Sequence, residues 1–152
     1  MLTYLAILVA TTQVSIGAST DASEEVAIHN EIMDNVSVEY AKCAVYYSHV
    51  SAAMGNAEKP DAASNYKALS EGALNRSLMY AEFSRTKEMS AKIVAARVDI
   101  ITSQMLDEID KNYSNLEILF SKYHDRCDFV INRTDELLEE WEETIRKEHG
   151  QE

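Results

Sequence analysis

Apolar and polar positions follow a helical period through most of this chain. Val26, Met33, Tyr40, Tyr47 and Met54 recur every seven residues, with His29, Val36, Cys43 and Val50 in the slots between them. That spacing puts the nine side chains on one narrow seam of an amphipathic helix over residues 24–54. Glu24, Glu25, Glu31, Asp34, Glu39 and Lys42 lie off the seam, on its expected solvent side. Gly55 should end the helix, and the stretch from Gly55 to Pro60 reads as the one long turn. Asp61 is then the expected N-cap of a second helix, residues 61–84. Its stripe is Tyr66, Leu69, Ala73, Tyr80 and Phe83, widened by Leu74 and interrupted by Arg76 and Ser77.

Ser84-Arg85-Thr86 marks a break, with Thr86 placed to cap a third helix over residues 87–111. One continuous helix is the alternative. In the third segment Met89, Ile93, Ala96 and Ile100 form one line, with Val94, Val98, Ile101, Met105 and Ile109 beside it. So broad a stripe predicts a well-buried helix. Asn112 to Asn115 is a cluster of turn residues, and Ser114 with Glu117 matches a capping box. A fourth helix over residues 115–147 has Leu116, Leu119, Phe120, Tyr123, Cys127, Val130, Leu137, Leu138, Trp141 and Ile145 as core positions. No strand pattern and no long repeat appears. The fold class is therefore all-α, a four-helix bundle.

The first 18 residues lack charged side chains and carry the apolar run Leu5 to Ala10, then a polar patch, then small residues ending at Ala18. This order reads as a secretory signal peptide, residues 1–18, followed by a single helical domain, residues 19–152. An uncleaved anchor or a buried first helix is the alternative. No Cys follows the leader, which excludes a lipid-modified cysteine there. The expected location is exported, periplasmic or extracellular, with no stable membrane insertion once the leader is removed.

Charge narrows the partners. The 152 residues carry a net charge of −12. Phosphate backbones and anionic membrane surfaces both need a basic footprint, so nucleic acid and a polybasic membrane contact are excluded. Residues 135–152 hold eight carboxylates against Arg146 and Lys147, a net −6. Glu136, Glu139, Glu140 and Glu143 there are a candidate acidic docking face for a basic protein partner, or simply a solvated helix face.

The cysteines are the most specific signal. Cys43 and Cys127 are the only two, and both sit on apolar stripes near mid-helix. In an exported chain an even count reads as a disulfide, here joining the first and fourth helices. Unlinked buried thiols are the alternative.

Catalytic and metal chemistry is not visible. None of His29, His49, His124 and His149 follows a Glu by three residues, and no His-Glu-x-x-His or Cys-x-x-Cys-His occurs. His124 with Asp128 is a pair one turn apart, too small a set for a metal site. Nucleophile motifs are missing as well, so no cofactor, metal or catalytic residue is expected. Tyr40, Tyr46 and Tyr47 are candidates for a ligand groove, or for core packing with hydroxyls at the edge. Asn-x-Ser/Thr sequons stand at Asn35, Asn75, Asn112 and Asn132, all in or beside expected helices.

The segments Cys43-Ala44-Val45-Tyr46-Tyr47, Asn112-Tyr113-Ser114-Asn115, Lys122-Tyr123 and Cys127 resemble a group of small exported helical proteins of aquatic bacteria and their phages. The resemblance implies export and paired cysteines, and brings no activity with it. The expected function is that of a non-enzymatic exported bundle acting through a surface. The alternative is a small-ligand carrier or sensor with an interhelical pocket lined by Tyr and Met.

Overall fold

The computed structural model describes residues 17–151, with side chains from Ala22 onward. The described residues form five helices and no strand: α1 (Gly17–Asn56), α2 (Pro60–Ala81), α3 (Lys87–Glu108), α4 (Leu116–Asn132) and α5 (Thr134–Glu148), with a 3₁₀ turn at Tyr113–Asn115 before α4. The expected leader falls outside the described residues up to residue 16, and residues 17 and 18 begin α1. Among the described residues no helix is long and apolar enough to cross a membrane.

The 40-residue α1 is the axis of the fold. α2, α3, α4 and α5 all pack on it, and they touch one another far less. From Ile28 to Val50 this helix is buried on nearly every side, which corrects the expected one-sided seam. Ile28, Ile32, Ala41, Ala44, Val45 and Tyr46 lie off that seam and are buried, whereas the seam residue Val26 is exposed. The physical reason lies in the charged residues. Asp34 and Glu39, expected to face water, instead reach Arg97 on α3 and Arg126 on α4, so they do not need a solvent face, while Glu24, Glu25 and Glu31 remain exposed.

Serines hold α1 against α2. Ser37 Oγ donates to the Ser77 carbonyl (2.9 Å), and Ser77 Oγ donates back to the Ser37 carbonyl (2.8 Å). Ser70 Oγ donates to the Ala44 carbonyl (2.7 Å), and Ser51 Oγ to the Ala63 carbonyl (2.8 Å). Positions 37, 44 and 51 on α1 meet 77, 70 and 63 on α2, stepping by seven in opposite directions. Hydroxyls reach the opposing backbone directly, which requires small residues along the whole contact. This explains why Ser77 is buried while Leu69 and Phe83, on the expected stripe, are exposed.

Cys43 and Cys127 form a disulfide with Cα atoms 5.3 Å apart. Cys43 lies in α1 and Cys127 in α4, and both are buried.

The expected four helices are corrected to five, because the segment read as 115–147 divides at Arg133 (φ −132°, ψ 52°). No Gly or Pro stands there. The break is held from outside: Arg76 Nη1 donates to the Ile131 carbonyl (3.1 Å), and the Tyr40 and Thr134 hydroxyls are 2.7 Å apart. An ending helix leaves its last carbonyls without partners, and Arg76 from α2 supplies one.

Smaller features differ in similar ways. Pro60 is the first residue of α2 and makes Lys59 the N-cap, with no side-chain bond, so Asp61 is inside the helix. The first helix runs on to Asn56, and the positive φ of the following turn is at Glu58, not at Gly55. Thr86 does cap α3, accepting from Met89 N (3.4 Å). The Ser114–Glu117 box is not formed. Asn112 Oδ1 accepts from Ser114 N (3.0 Å) instead, and α4 starts at Leu116 without a side-chain cap. Finally α3 is not enclosed. Ser90, Val94, Ile101 and Met105 face inward, while Met89, Ala96 and Ile100 of the other line are exposed.

Candidate functional sites: the tyrosines, a histidine crevice and two outer faces

Tyr40, Tyr46 and Tyr47 are all buried. Tyr40 stacks on Tyr80 with ring centroids 5.6 Å apart, and its hydroxyl meets Thr134 (2.7 Å) and accepts from Arg76 Nη1 (3.1 Å). Tyr46 and Tyr47 touch each other with centroids 5.1 Å apart, and Tyr47 also stacks on Tyr66. The Tyr46 hydroxyl lies 3.4 Å from His124 Nδ1. Burial pushes the Tyr46 phenol well up and Tyr47 up to about 12, so both stay protonated. Tyr46 and Tyr47 are brought together, Tyr40 sits apart from them, and their rings fill space between helices.

Two carboxylates on α1 are tied to the outer helices. Asp34 receives Arg85 Nη1 (2.7 Å) from the α2–α3 connection and Arg97 Nη2 (2.6 Å) from α3. Glu39, 6% exposed, receives Lys42 Nζ (2.9 Å) and Arg126 Nε (2.8 Å), and Arg126 continues to Glu140 on α5 (2.8 Å). Burial pushes both carboxyls up, but the hydrogen bonds from the basic groups outweigh it and hold both below the usual carboxylate range.

The acidic face on α5 is partly neutralised. Glu136 pairs with Arg133 Nε (2.8 Å) and Glu140 with Arg126, whereas Glu139 and Glu143 are exposed with no ion pair among the described residues. His124 and Asp128 do not converge. His124 stacks on Phe120 (4.2 Å) and Asp128 accepts from Asn132 Nδ2 (2.9 Å). Among the described residues no three His, Cys, Asp or Glu side chains gather as a metal site. His29 stands edge-on to Phe83, and His149 Nε2 is 3.0 Å from Glu31.

His49 is the residue that reading the sequence missed. It is buried, its Nδ1 is 3.1 Å from the Tyr113 hydroxyl, and its Nε2 is buried without a partner. Burial lowers its pKa, so the neutral ring is favoured. The ring lines a crevice of about 180 Å³ between α1, α2 and α3, together with Ala44, Ser48, Ser70, Leu74 and Thr102. No charged side chain lines it. A histidine next to the apolar Val50 carries no distinguishing sequence signal, because its role depends on Tyr113, 64 residues away.

The outer face of α3 is exposed as well. Met89 is 50% and Ile100 59% exposed. Lys92, Ala96, Asp99 and Ser103 are exposed on the same line, and Ile93 is half-buried at its edge. Comparison with protein-family models, with curated proteins and with solved structures finds no match to this chain.

Proposed function

We propose that this is a non-enzymatic exported bundle protein that acts through a surface, and that the surface is the outer face of α3. The carrying observation is the contrast between a filled tyrosine core and a long helix face that leaves Met89 and Ile100 in water. Large apolar groups lined up on one exposed stripe favour burial against a partner. The disulfide supports export, since such bonds persist in oxidising compartments. The resemblance to small exported helical proteins points the same way. A photo-crosslinking residue at Ile100 in the native host tests this reading, with Lys67 on exposed α2 as the control position. Adducts at 100 and not at 67, on protein recovered with Cys43 and Cys127 oxidised, are expected. Absence of any adduct at 100, or recovery of free thiols, overturns it.

A second reading is a small-ligand carrier. What favours it is the unpartnered Nε2 of His49 beside its crevice, and not the buried tyrosines. A neutral ring and an uncharged lining suit a small neutral polar molecule.

A further inference from the structure

We infer that the outer face of α3 docks against the same face of a second copy of this chain, with the two helices antiparallel. The inference rests on the surface reading above and names the occupant of that surface.

Residues separated by three, four and seven share one face of a helix. Met89, Lys92, Ala96, Asp99, Ile100 and Ser103 do so on α3, and all six are exposed. In an antiparallel pair about a two-fold axis, residue i of one helix faces residue j of the other with i plus j constant. Placing the axis beside Ala96 brings Lys92 within one residue, a rise of about 1.5 Å, of level with Asp99 of the second copy, twice by symmetry, an offset that the long Lys92 side chain spans. It puts Met89 over Ser103 of the second copy, and Ala96 against Ala96. The small residue thus falls where the two backbones come closest, and Met89 falls against a smaller residue. The molecule already builds this kind of contact internally, since α1 and α2 pair antiparallel through Ser and Ala at seven-residue steps.

Charge selects the partner. A chain of net charge −12 repels its own copies over most of its surface. On the α3 stripe the charges nearest the axis are one cation and one anion, placed to meet their opposites. Arg97 is turned inward onto Asp34 and does not disturb this balance. Asp99 makes no contact with a partner among the described residues, and the Lys92–Glu88 pair on the same helix is highly exposed and readily exchanged. A basic partner would suit α5, while α3 suits its own copy. A single helix face of about four turns buries less than the roughly 1,200 Å² of a stable standard interface, so the dimer is weak and reversible.

Sedimentation equilibrium of the oxidised, folded protein in moderate salt, over tens to hundreds of micromolar, tests this. The wild type should move from one copy toward two. Lys92→Asp and Asp99→Lys should each weaken association at least about tenfold, with helicity and melting temperature unchanged because both positions are exposed. A one-to-one mixture of those two variants should associate again, since each then presents the charge the other lacks. The double variant should also recover. A wild type that stays monomeric, a dimer indifferent to both substitutions, or a mixture that does not recover overturns the inference. The crosslink at Ile100 separates the two readings. Adducts to another protein with a monomeric wild type retain the surface and reject the second copy, and no adduct at all rejects both.

Discussion

Breaking the disulfide by reduction gives the largest effect that can be worked from the structure. Cys43 and Cys127 are 84 residues apart, and the loop they close contains all of α2, α3 and the 3₁₀ turn. In the chain-entropy account a crosslink of this span removes freedom from the unfolded chain worth about 4.6 kcal/mol. Domains of this size have a net stability of only about 5–15 kcal/mol, so the bond is comparable to the whole. Reduction keeps both buried sulfur atoms in place and leaves no cavity, which makes it cleaner than substitution by Ala. In urea, with an m value of about 2 kcal/mol/M, the midpoint should fall by roughly 2 M on reduction, and the melting temperature by about 15 °C. Low-temperature helicity should be retained. The m value itself should rise, because the reduced unfolded chain is more expanded. α5 lies outside the closed loop, so amides that exchange through its local opening should be unaffected. A midpoint shift below about 0.5 M would refute the reasoning, and so would a reduced chain that loses its helices without denaturant.

Three further outcomes are expected. Tyr40→Phe should cost about 1–2 kcal/mol in urea titrations and Thr134→Ala about half that, with the double variant close to Tyr40→Phe alone, because both remove the same buried contact at the α4–α5 break; full additivity would contradict it. Stability should fall in two steps as the medium is acidified. The lowered pKa of His49 means the unfolded chain binds its proton first, so stability is full above the usual value of 6.5 and declines below it, and the lowered carboxyls of Glu39 and Asp34 add a second decline below about pH 4.5. Melting temperatures between pH 4 and 8 should show the upper step in the wild type and lose it in His49→Gln, and a step that survives this substitution would show that another group causes it. Glu39→Gln should cost about 1–2 kcal/mol by denaturant titration, discounted from a fully buried pair because Lys42 and Arg126 are partly solvated; a neutral result would mean that burial and pairing cancel at that site.

What the sequence made legible was local. The helical class, the turn before Pro60, the break at Ser84 to Arg85 and the Thr86 cap follow from spacing and punctuation within a few residues. The Cys pair was legible because two cysteines leave one connectivity. The division at Arg133 was not, because its causes are Arg76 and Tyr40 on other helices, and neither Asn132 nor Thr134 is a strong breaker. The enclosure of α1 was hidden by Asp34 and Glu39, whose charges read as a water-facing side until Arg97 and Arg126 are brought to them. The seven-residue steps of Ser37, Ala44 and Ser51, and of Ala63, Ser70 and Ser77, were present in the chain. An apolar period does not reveal them, because α2 packs on hydroxyls and alanines. On α3 both apolar lines are legible in the chain, but periodicity does not say which one faces the core.

The polar groups on α1 also explain why one enclosed helix can have a single arrangement of neighbours. Apolar burial has no direction, so a helix that is apolar all round can rotate or slide against its surroundings at little cost. Here each neighbour is gripped differently and at a different height: α5 by Arg146 on Glu25 and by Thr134 on Tyr40, α3 by Arg97 on Asp34, α4 by Arg126 on Glu39 and by the disulfide, α2 by the serine bonds. A slip of one turn would strand Asp34 and Glu39 away from their cations and the serines away from their carbonyls, each at the cost of an unmet buried polar group. The arrangement is therefore set from the axis outward, and the outer helices need little from one another. That leaves the far side of α3 unconstrained by the fold, which is the condition under which its exposed methionine and isoleucine are open to a partner.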